Sequence, residues 1–349
     1  MSGGTAVLAV RVGPVSAALR PAVLARHVLL AVAGFGLFCL AVGRGDYPVS
    51  PAQVLEVLAG GGTGAERFVV VELRLPRAVL GILVGAALGI AGALTQSTLR
   101  NPLAGPDILG VTAGASLGAV ALLAFGGAGA GASLGTPAAA LAGGLITAVA
   151  VYLLGWRAGV DRLRLVLIGI GINAMLLALV NWLLVRAAIT DVGTALRWLS
   201  GSLALSDWSE IRPLAVGFVV ATGLALWSVP TSAVLRLGDD PARSLGVRLH
   251  SRQAVILFAA VLLASFATAA AGPIAFVALA APQIARRGYR VAGEPVVGSA
   301  LVGVILVLGS DIVAQTMFPV EFPVGIVTSA FGAIFLLWLL VRANRAGSG

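Results

Sequence analysis

The stretch AVILFAAVLLASFATAAAGPIAFVALAAPQI, residues 254–284, decides the fold. It carries no charge and is longer than the about 20 residues that one helix needs to cross the hydrocarbon of a bilayer. Gly272-Pro273 breaks it in the middle, because proline cannot continue the hydrogen-bond ladder of a helix. Arg236, Arg243, Arg248 and Arg252 precede the run, and Arg286, Arg287 and Arg290 follow it. Arginine accumulates on the cytoplasmic side of membrane proteins, so both flanks read as cytoplasmic and the number of crossings between them is even. The chain therefore reverses near Gly272-Pro273, with Pro273 opening a second, short helix that Pro282 ends or kinks. Such a helix must be covered by protein, since lipid cannot satisfy loose backbone groups.

Working outward, eight further apolar runs each fit one crossing: Ala22–Val42, Ala78–Leu99, Asp107–Phe125, Pro137–Trp156, Leu165–Val185, Arg212–Val229, Pro295–Phe318 and Pro323–Arg342. The expectation is an all-α, polytopic membrane protein of about ten transmembrane helices, with both termini cytoplasmic and most of the arginines inside. Residues 1–21 read as a mobile cytoplasmic tail, 22–342 as one transmembrane domain and 343–349 as a cytoplasmic tail. The first apolar run is followed by no convincing cleavage site, so it reads as a span and not as a signal peptide.

Composition agrees: the 349 residues are 59% hydrophobic and 11% charged. The net charge of +9 is spread singly between apolar runs, which argues against nucleic acid as a partner. All 23 basic residues are Arg, which excludes a Walker A loop and its phosphate-binding lysine. No hydrolase signature and no His/carboxylate pairing suited to metal ligation is present, so neither catalytic residues, nor a metal site, nor a cofactor is expected. Cys39 stands alone in an apolar run and reads as a packed core residue.

Polar residues near the span ends carry most of the remaining information. Arg74-Leu75-Pro76-Arg77 lies at the outer start of the second span, where Pro76 fixes the helix start; its two guanidiniums either snorkel or offer bidentate partners to carboxylates of another protein. At the inner end, Gln96 to Pro106 forms a Pro-bounded loop containing Asn101 and Leu103 that re-enters the membrane at once. Gly238 to Val247 reads as a short cytoplasmic helix with an acidic cap and a glycine stop, suited to a soluble partner or simply solvated. Asp311 is the one carboxylate well inside a span; it is either hydrogen-bonded structure or part of an ion path, and the latter would suit a proton- or sodium-coupled transporter. Gly81, Gly85 and Gly89, like Gly110, Gly114 and Gly118, recur every four residues and make one small face per helix, a seam for close packing.

Jointly, these residues resemble the permease subunits of bacterial importers for iron–siderophore complexes, haem and vitamin B12, which a separate ATPase drives. The resemblance rests on Arg74-Leu-Pro-Arg77, Gln96 with Asn101-Pro-Leu-Ala104 and Pro106, Leu109-Gly110 through Ala115, and Asp240 to Val247. It continues with Gly272-Pro-Ile-Ala-Phe-Val277, Ala281-Pro282 through Arg286, Asp311, and Phe322-Pro-Val-Gly-Ile326 through Gly332, in family order to the C-terminus. It implies that Arg74 and Arg77 receive acidic residues of an extracytoplasmic substrate-binding protein, and that Asn101 and Leu103, beside Gln96, form the inner gate. It further implies that Asp239, Asp240, Ala242, Leu245, Gly246 and Val247 form the coupling helix that sits on a cytoplasmic ATPase dimer. Arg197 to Trp208 would be the short outer helix and loop at the mouth of a path shared with a second permease subunit in the cytoplasmic membrane. Two positions depart from the family pattern: Gln283, where His is frequent, and Gln315, where Arg is frequent. With the surrounding residues they look like the branch serving ferric catecholate siderophores of the enterobactin type, with haem and vitamin B12 as alternatives.

Overall fold

The computed structural model describes residues 8–12, 15–19, 21–45, 47, 49–126, 135–155, 162–204, 206–235, 239–244, 249–289, 295–318 and 322–347. Two short antiparallel strands, β1 (Leu8–Val12) and β2 (Val15–Leu19), come first, so the purely helical expectation holds from Pro21 onward. Helix α1 (Pro21–Gly43) is peripheral: 6% of its apolar stretch is buried, against 78% for the continuous helical segment Gly64–Leu99. Cys39 is accordingly exposed on α1 and not packed in a core. Large apolar side chains such as Val32 and Phe35 point outward beside it, an arrangement that lipid, unlike water, does not penalise.

Between α1 and the next long helix, α2 (Pro51–Leu58) and α3 (Gly64–Arg67) each begin at a reciprocal capping box, Ser50 with Gln53 and Thr63 with Glu66. Gln53 Nε2 donates to Glu66 Oε1 at 2.6 Å and ties the two starts together. α3 continues through a π-helical stretch, Phe68–Arg74, straight into α4 (Leu75–Leu99). Pro76 stands in the first turn of α4, as the sequence suggests, but α4 continues a helix that is already running. Pro76 has no N–H for the carbonyl four residues back, and just before it the ladder slips to five-residue bonding, with Leu75 N–H reaching Val70 O.

After α4 come a 3-10 turn at Pro106–Leu109, then α5 (Val111–Phe125), α6 (Gly135–Gly155), α7 (Arg162–Arg186), α8 (Ile189–Leu199) and α9 (Trp208–Leu235). The chain ends with α10 (Asp239–Ser244), α11 (Leu249–Ala271), α12 (Val277–Tyr289), α13 (Val296–Thr316) and α14 (Val324–Gly347). Among the described residues, six helical segments are long and apolar enough to cross a bilayer. Shorter apolar helices cover Val111–Phe125, Ile211–Trp227 and Val324–Leu339. The short helix of this region lies at Ile189–Leu199, earlier than the resemblance implied; Arg197 falls in its last turn and Trp208 already opens α9.

α4 is the centre, packed on α9, α11, α12 and α13. Its glycines are the packing seam that their spacing suggested. A Cβ at Gly85 would overlap the Gly303 backbone, and one at Gly89 the Ser299 carbonyl, both on α13. The second glycine series works likewise between α5 and α6, where Gly114 and Gly118 face Gly143 and Ala139. Backbones in direct contact gain dispersion and weak Cα–H···O contacts that larger side chains would prevent.

The broken pair is present, with different boundaries. α11 stops at Ala271, and α12 begins at Val277 and not at Pro273; α12 also runs through Pro282 to Tyr289 without ending there. Gly272 adopts φ +70, where a side chain would be strained and would also strike Trp198 O. The reversal is held by neighbours: Ser202 N donates to Ala271 O at 2.8 Å, and Gly325 N to Gly201 O at 3.1 Å. Inside α12, Pro282 leaves Ala278 O without its helical donor, and that carbonyl lies where a Cβ of Gly92 would be. The proline is tolerated because α4 presents a glycine to the freed carbonyl.

Gly89→Ala is expected to lower the thermal midpoint of the purified chain, at a cost of about 1–3 kcal/mol. Gly171→Ala on α7, where an added Cβ meets nothing within 4 Å, should stay within about 0.5 kcal/mol. Equal midpoints for the two variants would rule out the α4–α13 seam.

Candidate functional site

At the N-terminal end of α4 both arginines are engaged within the chain. Arg74 donates to the carbonyls of Val42 (3.2 Å), Gly43 (3.4 Å) and Tyr47 (2.5 Å), so it satisfies the C-terminus of α1, where cations suit the helix dipole. Gly45 stands beside this guanidinium, which occupies the space that a side chain there would need.

Arg77 meets Asp311 of α13. Its Nε lies 3.2 and 3.0 Å from the two carboxylate oxygens and its Nη2 2.9 Å from Oδ1. Gln315, one turn further along α13, donates to Asp311 Oδ2 at 2.8 Å. Asp311 is 1% exposed and the Arg77 side chain 16%. A carboxylate at this depth is tolerable because a bidentate guanidinium neutralises it and an amide satisfies the remaining lone pair. Of the two readings of Asp311, hydrogen-bonded structure is what the geometry displays. Arg77 and Asp311 are separate features in the linear sequence, and a cation and an acid at similar depth on two spans are the signal that could have paired them.

The C-terminal end of α4 carries the second polar group. Arg100 takes a left-handed conformation (φ 51) that ends the helix, and Asn101 N returns to Gln96 O at 3.3 Å. Asn101 Oδ1 accepts from Leu103 N at 2.9 Å, and Asn101 O from Ala104 N at 3.1 Å, so the loop is a compact turn built on the asparagine. Leu103 projects from it, 45% exposed. Gln96 is buried and donates to Leu279 O of α12 at 3.1 Å. Gln283, noted from sequence only as a departure, sits at the centre: its Nε2 donates to Gln96 Oε1 at 2.8 Å and to Pro102 O at 2.9 Å. The structure thus brings Gln96, Asn101 and Leu103 together with α12.

Of the coupling segment, Asp239, Asp240 and Ala242 lie on α10, which packs against α9 and α11. Ala242 is fully buried, with Pro241 and Ser244 exposed. Leu245, Gly246 and Val247 lie outside the described residues. On α8, Ala195 is buried against Val120 of α5 and Val180 of α7. Thr194 and Arg197 are exposed, the latter donating to Thr194 Oγ1 at 3.2 Å. Among the described residues no group of three His, Cys, Asp or Glu is placed to hold a metal ion.

A body of long apolar helices, with polar ties between helices near both ends of α4, suits a transporter's membrane subunit. The chain belongs to the FecCD transport family, whose model matches residues 29–342. It is 40% identical over 303 residues to the ferric enterobactin transport system permease protein FepG of Escherichia coli K12, covering 86% of this chain and 91% of that protein. It is 37% identical over 315 residues to the iron(3+)-hydroxamate import system permease protein FhuG of Bacillus subtilis 168, covering 88% and 94%. A solved structure described as an inward-facing conformation of a metal-chelate type ABC transporter superposes with a TM-score of 0.79 at 25% identity, over 92% of this chain and 99% of its own.

Asp311→Leu alone is expected to strand the Arg77 guanidinium and cost about 3–5 kcal/mol, whereas Arg77→Leu with Asp311→Leu should recover most of that loss. Thermal unfolding of the purified variants checks this; a double variant no better than the single would deny the pair its structural role. A reversal to Glu at Arg77 would face Asp311 with a second carboxylate, so it tests the ion pair before it tests docking.

Proposed function

We propose that this chain is the permease subunit of a binding-protein-dependent ABC importer that carries a ferric siderophore across the bacterial cytoplasmic membrane. The observation that carries the reading is the nearly full-length match to permeases of iron-chelate uptake, at 40% identity over 86% of the chain in the case of FepG. The chain crosses the membrane about ten times, with α12 as the short member of the broken pair and both termini inside. ATP is hydrolysed by a pair of separate cytoplasmic subunits, and no covalent chemistry takes place in this chain.

Two such permeases, identical or related, frame the path. The exposed apolar faces of α7 and α14, which include Trp182 and Val185 on one and Ile334 and Leu337 on the other, suit lipid and a second subunit. An extracytoplasmic binding protein docks at the outer surface around Arg74 and Arg77. Nucleotide binding closes the ATPase dimer and moves the segment Asp239–Val247. Because α10 lies against α9 and α11, that movement is passed to the membrane helices, and the gate around Gln96, Asn101 and Leu103 changes state. The cargo is an anionic iron chelate of the catecholate class. A proton- or sodium-coupled mechanism has no support from Asp311, whose carboxylate is held by Arg77 and Gln315.

Cells carrying this chain should take up radioactive iron presented as ferric enterobactin, and should lose that uptake when the chain is deleted or the partner ATPase is inactivated. Uptake that survives ATPase inactivation but not collapse of the proton gradient would overturn the reading. Preference for a hydroxamate complex would overturn the catecholate assignment alone. Separately, Ala242→Arg should unseat α10 and leave ATP hydrolysis running with iron uptake reduced at least tenfold; normal coupling would remove the segment from the coupling role.

A further inference from the structure

We propose that Gln283 is a positioning residue for the inner gate: its side-chain amide latches the Asn101–Gly105 turn onto α12, and the latch must release for cargo to leave the path. The inference rests on the permease reading above and goes beyond it, because it names the group that holds the gate.

Every polar atom of this amide is used. One Nε2 hydrogen goes to Gln96 Oε1 at 2.8 Å and the other to Pro102 O at 2.9 Å. Oε1 accepts from Arg286 at 3.3 Å and from Arg287 at 3.2 Å. Gln283 and Gln96 are each 1% exposed, so neither amide can exchange its partners for water in this state. Three segments are therefore tied at one point: the inner end of α4 through Gln96, the gate turn through Pro102, and α12, which carries Gln283 itself.

The chemistry selects a neutral amide. Proline has no N–H, so Pro102 offers the latch only its carbonyl, and a donor is required opposite. Gln96 likewise presents its oxygen to Gln283, because the NH2 end of its amide faces Leu279 O. A carboxylate at position 283 would accept from the arginines but donate to neither, and an aliphatic side chain would leave two buried acceptors unsatisfied. The turn itself is stiffened by Asn101, so it can leave α12 as a unit once the Pro102 bond breaks. Arg287 also donates to Gln283 O at 3.0 Å and stacks over Trp338 of α14 at 5.8 Å, which links the latch to a second helix.

The test uses the assembled transporter in inverted membrane vesicles, with Cys39→Ser and Ala104→Cys as background, because Ala104 of the same turn is fully buried while the latch is closed. The readouts are labelling by a membrane-impermeant maleimide and ATP hydrolysed per ferric enterobactin transported. Gln283→Glu keeps the length and the arginine contacts but donates nothing. It should speed labelling about tenfold, as expected for two lost neutral hydrogen bonds, and raise the ATP-to-iron ratio severalfold at an unchanged amount of chain. Gln283→Leu should do the same, and if it is not recovered from the membrane the Glu variant still decides. Gln283→His, with one ring N–H, should fall between wild type and Glu in both readouts. Labelling of Gln283→Glu at the wild-type rate would overturn the latch, as would a His variant indistinguishable from Glu. Iron uptake independent of the whole chain would instead overturn the permease reading, so the two failures are distinct.

Discussion

Helices in a bilayer gain almost nothing by hiding apolar surface from one another, so their association depends on how closely their backbones approach. In this chain that constraint falls on α4. Gly85 and Gly89 bring it onto the backbone of α13, and Gly92 onto the carbonyl of Ala278 in α12. Once these contacts set the separations, the polar residues at its two ends have fixed partners. Arg77 meets Asp311 at one end and Gln96 meets Gln283 at the other. At 1.5 Å per residue the two ties stand about 28 Å apart, close to the thickness of the hydrocarbon. Between them the helix is held by packing alone; at its edges, by charge and hydrogen bonds.

The two ties differ in kind. A bidentate guanidinium–carboxylate pair is expensive to break and suits a clasp that keeps the outer ends of α4 and α13 together. A pair of neutral amides costs far less to separate and suits a contact that must open. The strong interaction thus joins two long packed helices, and the weaker one joins a turn to a short helix. In the importer reading this gives a firm outer frame with a movable inner end.

The broken pair α11–α12 is what makes the inner tie available. A continuous helix through residues 254–284 would carry position 283 away from the end of α4. Gly272, with its positive φ, and the link to Val277 turn the chain back, and Ser202 and Gly325 donate hydrogen bonds at this junction. Phe276 also has a positive φ (66), which is costly for a bulky residue, and its ring is seated where a Cβ of Gly332 on α14 would be. Each irregular backbone element therefore faces a glycine on another segment: Pro273 faces Gly201, Phe276 faces Gly332 and Ala278 faces Gly92.

Much of this was legible in the linear chain. Apolar run lengths located the membrane helices, arginine spacing required a reversal near Gly272, and the glycine periods marked two packing seams, because hydropathy and residue size act locally. The motif order also identified the family that residues 29–342 match. Local rules erred where neighbours intervened. Pro273 does not start a helix and Pro282 does not end one, since adjoining segments accommodate the backbone groups that a proline leaves unpaired. Cys39 faces outward because α1 packs on α13 along one side only. Tertiary structure alone decided that Arg77 pairs with a residue 234 positions away, and Gln283 with one 187 positions away. Hydropathy determines whether a segment enters the membrane, but not which helices become neighbours there. That choice is made by the close fit of small residues across helix faces, and it selects the partner of every buried charge and amide.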